Sequence, residues 1–213
     1  LTATLNYSID RTEKIILLKQ EIERLNINFL KPDINFSDPL FSIEINDNLK
    51  SIRFGLAAIK GVGLKSISSM VDERNKNGKF KSIVDFMNRV SKEVINKRQL
   101  EKLIQAGAFD SIEANRSKLF NNVPKFVELF GGEKNINQDM LFEEDEISFE
   151  DTNLFNQNYE KWNNTEILSN ELEVIGFYFS DHPLNLYPKK FFELENINLF
   201  NDYSENNNAN SIK

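Results

Sequence analysis

The run Ala58-Ile59-Lys60-Gly61-Val62-Gly63-Leu64-Lys65-Ser66 sets two glycines one residue apart, directly ahead of a helical pattern. Glycine tolerates positive φ and puts no side chain between the backbone and a ligand. The helix that follows starts with unpaired N–H groups and the positive end of its dipole. Such a corner is a seat for an anion. Lys60, Lys65 and the Ser66 hydroxyl stand around it, and Val62 is expected to point back and pin the two flanking elements together. The anion these residues suit is a DNA phosphate, held through main-chain amides without reading base sequence. A dinucleotide fingerprint does not fit, because Ser66 stands where the third glycine would fall and no strand leads directly into the loop. With apolar helices expected on both sides, the pattern is a helix-hairpin-helix element. Lys76, Asn77, Gly78 and Lys79 fall in the loop expected after the second helix, where Lys76 and Lys79 could meet the same duplex. Arg74, Lys81, Lys97, Arg98 and Arg116 read as a solvated face.

A second group lies further on, at Gln138-Asp139-Met140-Leu141-Phe142. A Leu-Phe pair in a segment too polar to bury it invites docking into a partner's pocket, with the Gln138 amide able to fix the register. Leu-Phe occurs six times, and only at Leu141 does a Gln stand three residues before it. Catalytic chemistry leaves little trace. The one dense carboxylate run, Glu143 to Glu146, has no fold to hold two metal ions in place, so no catalytic residue and no metal site is expected. His182, between Asp181 and Pro183, reads as a turn residue near a strand end, and Trp162 as core.

The elements that position these residues must come from 213 residues, 40% of them hydrophobic, enough for one core with appendages. There is no cysteine and one histidine, which removes disulfide scaffolds, zinc-thiolate and iron-sulfur centres and cysteine nucleophiles. No apolar run approaches the roughly 18 residues of a membrane span, so no membrane partner is expected and a cytoplasmic location is. The chain begins at Leu1 without Met, which points to a piece of a longer one. The net charge of −7 conceals a segregation: residues 50–102 carry +8 and the remainder −15, with nine acids against Lys134 alone in residues 128–151. A basic module sits between acidic neighbours.

Residues 10–25 predict an amphipathic helix, with Asp10 and Glu13 at capping-box spacing and Ile15, Leu18, Ile22 and Leu25 on one face. Alternation at Phe41, Ile43 and Ile45, turn residues at 46–48, and renewed alternation at Ile52 and Phe54 predict a hairpin. Residues 56–130 predict about five closely punctuated helices. The first is LAAIK before the glycines, and the second has Ile67, Met70 and Val71 inward. A third is capped by Ser82 with Asp85, a fourth runs from Asn96 toward Gly107, and a fifth covers 116–130, interrupted or begun near Pro124. Residues 131–158 read as a linker, 160–173 as a helix, GFYF at 176–179 as a strand, and the last dozen residues as frayed.

The blocks IRFGLAAIKGVGLKSI, GKFKSIVDFMNRV, INKRQLEKLIQAGAFDSI, NRSKLF, QDMLF and LEVIGFYFSDHPL, in this order, closely resemble the C-family replicative polymerases, the bacterial DNA polymerase III alpha subunits. The resemblance runs from about Leu1 to Tyr187. It implies a mainly α fold: a tandem helix-hairpin-helix module with a small N-terminal α/β piece and an irregular C-terminal extension. Residues 1–50 would be the C-terminal part of the fingers region, 51–130 the DNA-binding module, 131–158 an acidic connector, and 159–213 a segment leading toward an oligonucleotide-binding barrel that lies outside this chain. Gln138, Leu141 and Phe142 match the family's internal attachment site for the sliding clamp, the beta subunit, with Asp139 and Met140 in its variable places. The family's catalytic aspartates lie in a palm domain upstream, and no residue here matches them. The resemblance thus implies a parent DNA-directed DNA polymerase using Mg2+, and a piece of it that takes no cofactor. That piece would bind double-stranded DNA at Lys60, Gly61, Val62, Gly63, Lys65, Ser66, Lys76 and Lys79, hold the clamp, and meet other holoenzyme subunits through the parent chain. Two other functions fit the residues: a stand-alone helix-hairpin-helix protein of DNA repair or recombination, and a helical adaptor whose basic face binds an acidic protein.

Overall fold

The computed structural model describes residues 1–46, 49–91, 93–131 and 159–186. Gln138, Leu141, Phe142, the 143–146 carboxylates and the last dozen residues lie outside them. The chain opens with α1 (Thr2–Tyr7) and α2 (Thr12–Arg24), then β1 (Asn28–Leu30), β2 (Ser42–Asn46) and β3 (Leu49–Arg53). A 3-10 turn at Leu56–Ala58 leads to α3 (Leu64–Asn77), α4 (Ile83–Arg89), α5 (Lys97–Gln105), α6 (Arg116–Gly131) and α7 (Asn164–Val174), followed by a 3-10 turn at Pro183–Leu186. The described architecture is mainly helical, with one small sheet.

The predicted hairpin forms, β2 antiparallel to β3 with Ile43 opposite Ile52. A third strand joins it, β1 running parallel to β3 in the order β1-β3-β2. Phe41, Ile52 and Phe54 are buried, whereas Ile43 and Ile45 are about 60% exposed (59% and 61%). Alternation fixes which side chains share a face, not whether anything covers it. The predicted start of α2 shifts as well: α2 begins at Thr12 with Arg11 at its cap and no side-chain cap bond, so Asp10 and Glu13 form no capping box. The preceding helix α1 takes up this stretch, and the Arg11 N–H donates to the Ser8 carbonyl at 2.8 Å, placing Asp10 in the turn between the helices. Leu25, expected on the inner face, is 46% exposed at the helix end.

The LAAIK helix is only the 3-10 turn. Ile59 is already extended and the Lys60 N–H donates to the Val174 carbonyl at 2.9 Å rather than back to Leu56, so no helical ladder continues. The described part of 51–130 therefore holds four α-helices and this turn rather than five. Their caps follow the sequence: the Ser82 hydroxyl accepts from the Asp85 N–H, and Asn96 with Gln99 closes a full capping box. The expected interruption or start near Pro124 is absent: α6 begins at Arg116 and runs through Pro124.

GFYF is a bend and not a strand. Gly176 takes φ +96, and the main-chain donors of Phe179 and Ser180 are accepted by the Glu171 carboxylate at 2.8 and 2.9 Å, leaving no ladder for a neighbouring strand. The bend instead delivers Phe177 and Phe179 to a cluster with Phe29 and Phe54, centroids 5.0–6.2 Å apart. One apolar core runs from Leu5 through the sheet and α3–α6 to Phe177. Trp162 is half-buried, 5.5 Å from the Phe120 ring. His182 is exposed in a turn whose Asp181 carboxylate accepts its N–H at 2.7 Å, although no strand adjoins it. Among the described residues, no helix is long and apolar enough to cross a membrane, and no His/Cys/Asp/Glu group could hold a metal ion.

Gly107, at the end of α5, takes φ +77, and an added Cβ would fall inside the Arg116 guanidinium. Gly107→Ala is expected to lower the unfolding free energy by about 2–3 kcal/mol, combining left-handed strain with displacement of a buried cation. The urea midpoint measures this, and a change smaller than that of Gly61→Ala, where a similar φ meets only an ordinary contact with Lys102 Cγ at 3.9 Å, would contradict it.

Candidate nucleic-acid interface

The corner is built from one left-handed residue and one extended one. Gly61 takes φ +81, while Gly63, at the cap of α3, is extended at φ −82 and ψ 136; the expected freedom of both glycines is used only at the first. Val62 turns inward and is 7% exposed. Two main-chain donors are already engaged: the Lys60 N–H donates to the Val174 carbonyl at 2.9 Å and the Val62 N–H to Ile59 at 3.1 Å. Among the described residues, no protein acceptor meets the N–H groups of Gly61, Gly63, Leu64, Lys65 and Ser66. Gly61, Gly63, Leu64 and Lys65 are exposed, Ser66 is half-buried, and no acid stands in the first turn of α3. Four of these donors, at residues 63–66, lie at the start of a helix whose dipole places roughly half a positive charge there, and the fifth, Gly61, is two residues before the cap.

Side chains of the corner itself and of α5 frame it. Lys60 reaches toward the Gly176 bend, its Nζ 3.6 Å from where a Gly176 Cβ would lie, and Lys65 is exposed. Gln99 donates from Nε2 to Ser66 Oγ at 3.2 Å, which brings the first turn of α5 beside that of α3. Lys97 and Arg98 in that turn are exposed, adding two cations to the same end of the molecule. Lys102 is tied to Glu173 of α7 at 2.5 Å. Sequence reading left Lys97 and Arg98 on an ordinary charged face and passed over Gln99. The Asn96 capping signal marked where α5 begins, but nothing local marks that it begins beside α3.

Lys76 and Lys79 are not part of this corner. Lys76 and Asn77 belong to the last turn of α3, not to the loop after it, and Gly78 at φ +86 is the cap. The length of α3 puts them roughly 20 Å from Gly63. Lys79 Nζ lies 3.7 Å over the exposed Phe36 ring. The solvated-face expectation fails for two arginines, because a planar guanidinium satisfies several buried acceptors at once. Arg74, 8% exposed, donates to the Ile34 and Ser37 carbonyls at 2.9 and 2.6 Å. Burial lowers its pKa, against the raising effect of Asp38. Arg116, 7% exposed, forks to both Asp110 oxygens at 2.8 Å and reaches Glu171 at 3.0 Å. Arg89 is spent on Glu73 and Asp85. Part of the +8 charge of residues 50–102 is therefore internal.

A second glycine corner, at Gly107, provides an internal contrast. Its Gly107 and Ala108 N–H groups donate to Ile104 and Leu103, both at 3.0 Å, and the Arg116 guanidinium fills the space beside it. One corner is open and rich in donors; the other is paired and plugged.

A family model described as a helix-hairpin-helix motif matches residues 26–119, a span that includes both corners. The DNA polymerase III subunit alpha of Borreliella burgdorferi is 36% identical over 206 residues, covering 95% of this chain and 18% of that subunit. Those of Neisseria meningitidis serogroup A and Escherichia coli K12 are 37% and 33% identical, each covering 89% of this chain and 16% of theirs. The chain is similar, almost end to end, to one stretch of the polymerase III alpha subunit. It spans less than a fifth of those relatives' length. The similarity to the polymerase III alpha subunit extends well beyond the glycine corner, so it does not rest on a short motif shared by many DNA-binding proteins.

Proposed function

We propose that the chain is the duplex-holding and clamp-tethering part of a replicative DNA polymerase. The observation that carries this is the open corner: among the described residues, the main-chain donors of Gly61 and of residues 63–66 leading into α3 have no protein acceptor, and Lys60, Lys65, Lys97 and Arg98 are exposed on the segments that build and adjoin it. Main-chain N–H groups hold phosphate oxygens and carry no base information, which suits an enzyme that must move along any sequence. The relatives' names support the setting of a DNA polymerase III subunit; we read the parent, beyond those names, as a DNA-directed DNA polymerase of the cytoplasm whose Mg2+ chemistry lies outside this chain. Gln138, Leu141 and Phe142 supply the tether by docking in the sliding clamp. Two weak contacts on one chain make the second binding step intramolecular and lengthen residence on DNA about 10²- to 10⁴-fold.

Lys60→Ala combined with Lys65→Ala tests the phosphate grip. The double variant should weaken binding equally on an A·T-rich and a G·C-rich duplex and lower the magnitude of the log-log salt slope by about 2. An unchanged slope, or a loss confined to one of the two sequences, would overturn the proposal.

A further inference from the structure

Gln99 is the third residue of α5, and its amide is committed in two directions. Oε1 accepts the Asn96 N–H at 3.2 Å, while the Gln99 N–H donates to Asn96 Oδ1 at 3.0 Å. That capping box fixes which way the amide faces, so it is Nε2 that stands 3.2 Å from Ser66 Oγ. An amide nitrogen can only donate here, and the Ser66 oxygen is therefore the acceptor. The hydroxyl proton must point elsewhere. A helical serine commonly returns its proton to a carbonyl of the preceding turn, yet among the described residues the Ser66 hydroxyl has no protein acceptor. It lies in the same first turn as the free Gly63, Leu64, Lys65 and Ser66 amides.

We infer that Gln99 is a positioning residue for the phosphate seat: by donating to Ser66 it turns the serine hydroxyl into a sixth donor aimed at the bound phosphate. This rests on the phosphate reading of the corner given above. It also joins the two helix starts, α3 and α5, into one site, so that the second helical pair bears on binding without touching the phosphate itself.

The experiment measures binding of a random-sequence duplex to the full 213-residue chain. The variants are Ser66→Ala, Gln99→Ala, their combination and Gln99→Glu. Glutamate at this position keeps the acceptor that closes the capping box, so the thermal midpoint should hold. It replaces the donor facing Ser66 with an acceptor, which captures the hydroxyl proton and sets a negative charge beside the phosphate. Gln99→Glu should raise Kd more than about tenfold, and Ser66→Ala about fivefold. Adding Gln99→Ala to Ser66→Ala should change Kd by less than about twofold. Wild-type affinity in Gln99→Glu, or fully multiplicative losses in the double variant, would overturn the positioning role while leaving the phosphate grip standing. If Ser66→Ala and the Lys60/Lys65 double variant both bind as wild type, the grip itself falls and the inference with it.

Discussion

Glu171→Ala is expected to lower the unfolding free energy by about 3–5 kcal/mol, the range for breaking a buried ion pair by deleting one partner. Glu171 is fully buried at 0% exposure and accepts from Arg116 Nη1 at 3.0 Å, from the Phe179 and Ser180 N–H groups, and from Ser180 Oγ. Deleting it leaves the Phe179 and Ser180 donors and part of a buried guanidinium charge without their acceptor. It also releases the 176–180 bend that carries Phe177 and Phe179 into the aromatic cluster. Asp110 holds the other side of Arg116. Burial pushes its carboxyl up, but the bonds and charges of Arg116 and Lys31 outweigh this and leave its pKa below the ordinary value. The pairing with Asp110 therefore stabilises the fold above the ordinary carboxylate range and is lost as pH falls through the lowered pKa. Urea unfolding of Glu171→Ala at neutral pH is the direct check. A loss below about 1 kcal/mol would show that α7 and the plugged corner do not depend on one another.

Leu141→Ala with Phe142→Ala should weaken capture by a bacterial sliding clamp at least about 100-fold, because truncating two apolar anchors of one docking site costs on the order of 2 kcal/mol or more each. Gln138→Ala should cost less, as a polar contact that sets register. Duplex binding by the same double variant should match wild type, since residues 61–66 and 97–102 are untouched. A pull-down that survives the double substitution would dismiss the tether. The two contacts are separable by design of the experiment: charge changes at Lys60 and Lys65 act on DNA alone, and these apolar changes act on the clamp alone.

Much of the fold can be read along the chain where the signal is local. The Ser82 and Asn96 caps, the stop at Gly107, the inward Ile67, Met70 and Val71, and the 42–53 hairpin are each written within a few residues. Two of the misreadings share a cause: a residue outside the local pattern took the hydrogen bonds. The Val174 carbonyl takes the Lys60 amide that a continuing helix would have turned back on Leu56, and Glu171 takes the donors that would have made GFYF a strand. The three residues of β1 are too few for any period to show. At the site, the glycine spacing located the corner and Val62, but not which amides remain free. That depended on Val174 meeting Lys60 and on the absence, among the described residues, of any such partner at Gly61 and 63–66. Charge counting overstated the basic face, because sequence gives a buried Arg74 the same weight as an exposed Arg98.

The grip on the DNA backbone is tested most directly by titrating the chain with a random-sequence duplex across a range of salt concentrations. Contacts to roughly three phosphates predict a slope of log K against log salt of about −3, the same for any duplex sequence. A slope near zero would mean that no phosphates are neutralised, and would contradict the role assigned to the open corner.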